Sequence, residues 1–374
     1  MLTLVNNRRK KFFLPRLHAG EFFKEEITMK GNVIVGQSGG PTAVINSSLA
    51  GVFKTAKDRG AKRIYGMCNG IKGLLDEKYI DLTEKLDSTM AIDLLKRTPS
   101  SALGSCRFKL PDVKKDPDMY KKIFEILNKL EIKYFFYIGG NDSMDTIQKL
   151  CEYGKSINSD ISFMGVPKTI DNDLAITDHT PGYGSAAKFI ASTMKEIIRD
   201  GHVYDYPTIS IVEIMGRNAG WLTASAALAK SDDCEGVDLI YLPEKVFDLD
   251  HFLAKIKELS KTGKSIVVAV SEGVKVADGR FVFELAAEHV EFVDAFGHKQ
   301  MSGTANFLAN KVTAELGTKA RAIELSTLQR CAAHMASRTD ITEAYNVGGA
   351  AVKAAFDGEN GKGVVIKRGS DDPY

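Results

Sequence analysis

The chain has 374 residues, 44% of them hydrophobic, and 50 Lys and Arg against 48 Asp and Glu leave a formal net charge of +2. A single hydrophobic core stops growing at about 250 to 300 residues, so this length predicts two lobes. The near-neutral balance supplies no basic field for nucleic acid, and no apolar run approaches the ~20 residues a bilayer span needs.

Cys68, Cys106, Cys151, Cys234 and Cys331 are scattered without C-x-x-C spacing. That pattern fits a reducing compartment, with a cytoplasmic address as the expectation, and argues against a disulfide frame or a zinc site. Residues 1–29 form an N-terminal tail in which Arg8, Arg9, Lys10 and Lys11 precede Phe12 and Phe13. Without a continuous apolar stretch behind the basic cluster, a secretory signal does not fit. A surface tail, an upstream start codon and a basic targeting or nucleic-acid arm all remain open for this stretch.

From Lys30 onward apolar runs that read as buried strands alternate with helical periodicity. Predicted strands cover residues 32–35, 63–67, 134–138, 161–166, 209–215, 239–242, 265–270, 321–325 and 363–367. Helices are predicted over 42–58, 117–130, 143–154, 185–199, 219–230, 249–259, 304–316 and 341–356. Strand then helix, repeated, predicts an α/β protein of two Rossmann-like lobes, with mainly parallel sheets and helices on both faces. The expected lobes are 30–180 and 181–374, with a late crossover of the chain back to the first.

The motifs fall at predicted strand ends, where open α/β sheets bind ligands. In GQSGGPTAVIN, residues 36–46, the paired glycines Gly39 and Gly40 either cradle a phosphate before a helix amino terminus or form a tight turn capped by Ser38 or Thr42. It is neither a Walker motif nor G-x-G-x-x-G. In IGGNDS, Asn141 and Asp142 offer oxygen to a phosphate-bound Mg²⁺, or serve as an Asx cap on the following helix. In PKTIDND, Asp171 and Asp173 would share a face of an extended segment, one as base and one holding metal or orienting its partner; a solvated acidic loop is the alternative. Arg107, Arg217, Arg321 and Arg330 are forks suited to phosphate oxygens, although single arginines are usually just solvated. Glu272, after a predicted strand, either accepts hydrogen bonds from sugar hydroxyls or belongs to a plain turn. His298 and His334 have no triad or metal pattern around them and read as ordinary surface or core histidines.

SGGPTAVIN, LGSCRF, IGGNDS, PKTIDND, TPGYGSAAK, MGRNAGW, the SEG glutamate and LQR occur in the order seen in the phosphofructokinase family, which this chain resembles from Lys30 to Tyr374. The resemblance implies phosphoryl transfer to the 1-hydroxyl of fructose 6-phosphate with Mg²⁺, a place in glycolysis, and a homo-oligomer, dimer or tetramer. It implies Asp171 as general base, with Thr169, Ile170 and Asp171 contacting substrate. Gly39, Gly40 and Lys168 are implied as donor contacts, and Arg107 as the donor-phosphate and transition-state arginine. Met215, Gly216, Arg217, Glu272, Arg321, Thr327, Leu328, Gln329 and Arg330 resemble the sugar-phosphate pocket.

The implied donor is inorganic diphosphate. ATP-using members generally carry glycine at the positions of Asp142 and Lys168, whereas diphosphate-using members resemble this chain at both. A carboxylate where an α-phosphate would sit repels it by on the order of 4 kcal/mol for unit charges ~4 Å apart at an effective dielectric near 20. Lys168 supplies compensating charge to a donor that has no nucleoside anchor. With an anhydride donor and orthophosphate as leaving product, the step is expected to be reversible. The rivals are an ATP-dependent phosphofructokinase and a non-catalytic sugar-phosphate-sensing subunit, but the latter should have lost Asp171, Arg107 and Arg217.

Three positions depart from the family pattern. Asn141 replaces a metal-binding aspartate, which shifts expected Mg²⁺ contacts to Asp142, Asp173 or substrate oxygens. Thr208 replaces an arginine that reaches a neighbouring subunit, and Thr327 replaces a sugar-pocket histidine. The stop at Tyr374 precedes the end of diphosphate-using relatives, so a shortened copy is expected.

Overall fold

The computed structural model describes residues 31–286, 302–372 and 374; the basic tail and His298 lie outside the described residues. Among the described residues, ten strands form two sheets. The first contains β1 (Asn32–Gln37), β2 (Ile64–Met67), β3 (Tyr79–Asp81), β4 (Ile132–Gly139), β5 (Ser162–Pro167) and β10 (Lys362–Gly363), in the order β10-β5-β4-β1-β2-β3. The second contains β6 (Ile209–Ile214), β7 (Leu239–Tyr241), β8 (Ile266–Ser271) and β9 (Ala320–Glu324), in the order β7-β8-β6-β9. All pairings are parallel except β2 with β3.

The central strands are mainly apolar and buried because both faces of each sheet are covered by helices. One face of the first sheet packs Val33, Val35, Phe136 and Ile138 against Leu49 and Phe53 of helix Ile45–Asp58 and Val352 of helix Arg338–Phe356. The opposite face packs Ile34, Phe135 and Tyr137 against helices Pro117–Lys129 and Asn141–Ser156. The second sheet is likewise sandwiched, by helix Tyr183–Gly201 on one side and by helices Leu249–Ser260 and Thr304–Leu316 on the other.

Several boundaries differ from the sequence pattern for physical reasons. The strand expected at 209–215 ends at Ile214, since Gly216 turns the chain with φ of 138°. The helix expected over 219–230 is one α-turn, Trp221–Ala224, continued as a 3₁₀ turn over Ser225–Ala229. Of the run at 363–367 only Gly363 is strand, joined by Lys362 before it in an exposed pair at the edge of the first sheet. β3 and helix Thr89–Arg97 were not expected: three residues are too few for an alternating pattern, and the helix buries only Ile92.

Parallel register brings the motifs level. Gln37 pairs with Ile138, and Gly139 with Pro167, so the loops after β1, β4 and β5 leave adjacent strands at one edge. In the second sheet Ile214 pairs with Ser271 and Glu213 with Glu324, aligning the loops after β6, β8 and β9.

Candidate active site

A cleft of about 420 Å³ lies where these loop edges meet, and both sheets line it. From the loop after β1 come Ser38, Gly39, Gly40 and Pro41; from the start of helix Asn141–Ser156 come Asn141, Asp142 and Ser143. The segment after β5 adds Lys168, Thr169, Ile170, Asp171 and Asp173. The second sheet supplies Met215, Arg217, Asn218, Ala219, Glu272 and Arg330, and Arg107 enters from the loop before helix Pro117–Lys129.

Lys168 is the electrostatic centre of the first wall. Its side chain is buried, only 4% exposed, and its ammonium donates to the Gly40 carbonyl at 2.7 Å. Gly39, with φ of 75°, has no side chain where Lys168 Nζ lies 3.2 Å from the position a Cβ would take. Burial, opposed by the charge of Asp171, pushes the Lys168 pKa down to about 8.

Gly140 stands at the N-cap of helix Asn141–Ser156, and no side chain caps it, so the Asx-cap alternative for Asn141 does not hold. Gly140, Asn141, Asp142 and Ser143 at its start line the cleft, and the partial positive charge of a helix start favours anions. Asp142 sits within that turn and places a carboxylate on the same spot. The alternative turn reading of the first loop also changes: helix Ile45–Asp58 starts without a side-chain cap, although Thr42 Oγ1 accepts the Val44 N–H at 3.3 Å.

The segment carrying Asp171 is not extended. Asn172 adopts φ of 56°, a left-handed conformation asparagine tolerates, and its amide oxygen accepts the Thr180 N–H at 3.0 Å. That bend, rather than strand alternation, turns both Asp171 and Asp173 to the cleft. The Asp171 backbone N–H donates to Thr169 Oγ1 at 3.1 Å. Burial raises the pKa of Asp171, the charge of Asp173 raises it further, and Lys168, Arg330 and Arg217 pull it back.

Asn141 Nδ2 donates to Asp173 Oδ2 at 3.1 Å, which ties the helix start to the acidic segment. Asp142, Asp173 and Asn141 thus bring carboxylate and amide oxygens to the lining of one cleft. Such hard oxygen donors fit Mg²⁺, which binds through one or two carboxylates and takes its remaining ligands from phosphates and water. Among the described residues, no cluster of three or more His, Cys, Asp or Glu side chains could hold a metal alone.

The opposite wall is cationic with one carboxylate. Partial burial, together with the nearby charges of Arg330 and Arg217, lowers the pKa of Arg107. Glu272 Oε1 accepts the Gly216 N–H at 3.2 Å, and burial pushes its pKa up to about 7. Gln329 is buried behind the wall, where its Oε1 accepts the Met215 N–H at 3.0 Å.

Gly216, Thr327, Leu328 and Gln329 are not part of the lining, and Thr327 and Leu328 are exposed. Arg321 is also absent from it. It pairs in register with Ser210 near the start of β6, the end remote from Met215, and its Nη1 lies 3.8 Å from Asp200 Oδ2. His334 is exposed in a short turn, away from the cleft. Asn218 and Ala219 join the lining although sequence reading did not single them out; their place directly behind Met215, Gly216 and Arg217 was the available signal.

Residues 32–355 match the phosphofructokinase family model. The chain belongs to the phosphofructokinase family. It is 43% identical over 346 residues, 92% of this chain and 81% of the relative, to a pyrophosphate–fructose 6-phosphate 1-phosphotransferase of Xanthomonas campestris pv. campestris. A protein of the same name from Rhodospirillum rubrum is 43% identical over 345 residues, 91% of this chain and 83% of the relative. The crystal structure of pyrophosphate-dependent phosphofructokinase from Marinobacter aquaeolei superposes with a TM-score of 0.80 at 37% identity, covering 92% of this chain and 81% of that one. The Marinobacter aquaeolei structure shares its α/β architecture.

Proposed function

We propose that this phosphofructokinase transfers a phosphoryl group from inorganic diphosphate to the 1-hydroxyl of fructose 6-phosphate, giving fructose 1,6-bisphosphate and orthophosphate. The observation that carries the reading is that Lys168, on the phosphate loop's Gly40 carbonyl, and Asp142, at a helix start, both line the same cleft. The ammonium complements a compact, highly charged diphosphate, while the carboxylate repels a further phosphate bearing a nucleoside.

In this reading the first sheet's loops hold the donor and the second sheet's loops hold the sugar phosphate. The 1-hydroxyl oxygen attacks the terminal phosphorus, Asp171 takes its proton, and the bridging P–O bond breaks with its electrons leaving on orthophosphate. A raised Asp171 pKa makes it a better proton acceptor than an ordinary aspartate once ionised. Arg107, Arg217 and Arg330 neutralise charge on the transferring group and the sugar phosphate. Asp173, with Asp142 and Asn141, would hold Mg²⁺, which when bound neutralises diphosphate oxygens. Glu272 orients the sugar through its hydroxyls. Arg321 stands apart from the cleft, at the remote end of β9, and takes no part in this reading of it. Scattered free cysteines favour the cytoplasm as the enzyme's address, and none of the described helices is long and apolar enough to cross a membrane. A homo-oligomer completes the proposal, to be sized by light scattering.

Turnover of purified protein with fructose 6-phosphate is to be measured with diphosphate and with ATP separately. Diphosphate is expected to be faster by about 100-fold or more, from a repulsion of a few kcal/mol. Equal or faster turnover with ATP would overturn the donor assignment.

A further inference from the structure

His179 lies outside the cleft, at the far end of the segment that carries Asp171, and is held between two carboxylates. Its Nδ1 is 2.8 Å from Asp178 Oδ2 and its Nε2 is 2.8 Å from Glu343 Oε2. Carboxylates only accept, so both ring nitrogens donate and the ring is an imidazolium. The His179 side chain is 16% exposed and that of Glu343 20%, which keeps the pair largely shielded from water.

Each partner is anchored on a different element. Asp178 receives two hydrogen bonds from Arg368, Nε to Oδ1 and Nη2 to Oδ2, both 3.1 Å, and its backbone N–H donates to the Ile366 carbonyl at 2.9 Å. Ile366 N–H returns to Thr177 Oγ1 at 3.0 Å. Glu343 belongs to helix Arg338–Phe356, whose Asp340 accepts the Gly182 N–H at 2.9 Å and the Ser185 N–H at 2.8 Å. The adjacent Thr180 reaches the catalytic segment directly. Its N–H donates to Asn172 Oδ1 at 3.0 Å and its Oγ1 donates to the Thr169 carbonyl at 2.8 Å. Thr169 and Asn172 flank the dipeptide Ile170-Asp171.

We infer that His179 is a positioning residue for phosphoryl transfer: its bridge from Asp178 to Glu343 fixes Thr180, which holds the left-handed bend at Asn172 and so the aim of Asp171. The inference rests on the reading of Asp171 as the general base. The titratable and charged groups facing the ring are Glu343 from the helix and Asp178 from its own segment. Tyr374, 6.3 Å away between ring centroids, and Arg368 behind Asp178 complete the set. The hydrogen bond to Glu343, opposed by burial and assisted by Asp178, raises the His179 pKa to about 9, so the bridge is charged at neutral pH and weakens above that value.

The test uses the full chain as His179→Ala, Glu343→Gln and Asp171→Asn. For His179→Ala, kcat is expected to fall about tenfold while KM for fructose 6-phosphate and diphosphate stays within about twofold, as for a base displaced from its line of attack. A kcat equal to the parent's overturns the inference, whether or not the melting temperature drops. Glu343→Gln keeps a hydrogen-bond acceptor but removes the charge, so the alkaline fall of kcat at saturating diphosphate should move to lower pH. An unmoved profile overturns the inference even if His179→Ala does not fold. Asp171→Asn judges the base separately. Persistent turnover in that variant sinks the base assignment, whereas its loss beside an unchanged His179→Ala sinks only the positioning role.

Discussion

Asp171 and Lys168 are three residues apart, yet burial acts on them in opposite senses, because it disfavours whichever form is charged. The aspartate is pushed up and the lysine down to about 8. The sign for activity follows: below about pH 8 the Lys168 ammonium is intact and can meet diphosphate, and above it the amine loses its charge. The kcat/KM for diphosphate is therefore expected to be level up to about pH 8 and to decline by about tenfold per unit beyond. Lys168→Arg should remove that decline while lowering the plateau. A wild-type profile level to pH 9.5 would separate Lys168 from donor binding. Replacing Asp171 by Asn preserves shape and removes the base, and steady-state kinetics should report a kcat loss of about 10²–10⁴ with little change in either KM. At this scale the residue types were legible in the sequence. Their protonation was not, because it depends on burial and on arginines far away in the chain.

Helix Arg338–Phe356 illustrates the element scale. Its apolar periodicity announced a helix near residues 341–356, but nothing local says that it lies on the first sheet against helix Ile45–Asp58. Two glycines permit that contact: a Cβ on Gly51 would stand 2.0 Å from the Tyr345 carbonyl oxygen, and one on Gly348 would stand 2.2 Å from that of Ser48. Alanine gains about 1 kcal/mol of helix propensity over glycine, but a clash with fixed backbone outweighs it. Gly51→Ala is thus expected to cost about 1–3 kcal/mol, read as a lower urea midpoint at unchanged slope. An unchanged midpoint would mean that the two helices can part freely. The acidic segment makes the same point in reverse: its two aspartates were expected in extended chain, and the bend at Asn172, fixed by Thr180, delivers them instead.

For the whole molecule, the decisive fact is that the cleft draws on both sheets while the chain passes from the first to the second and returns. Ser47 Oγ to the Ile341 carbonyl at 2.7 Å, and Asp340 to the start of helix Tyr183–Gly201, secure that return. A ligand touching both walls should stabilise the assembly of the two sheets. Fructose 1,6-bisphosphate with orthophosphate, each at about 100 times its Kd, is expected to add about 2.7 kcal/mol per bound ligand and raise the melting temperature by several degrees. Calorimetry showing no shift would place the substrates elsewhere.

By itself the sequence determined that strands and helices alternate, that glycine, acidic and basic motifs follow the strands, and that their order is that of the phosphofructokinases. Those are local properties, carried by apolar runs and turn residues. Only the tertiary structure decided which motifs meet. Parallel register levels the loops after β1, β4 and β5 opposite those after β6 and β8, while the same register carries Arg321 to the far end of its strand. It also decided that His179, ordinary in sequence, stands between Asp178 and Glu343, because an ion pair 164 residues apart in the chain exists only once a crossing helix has packed.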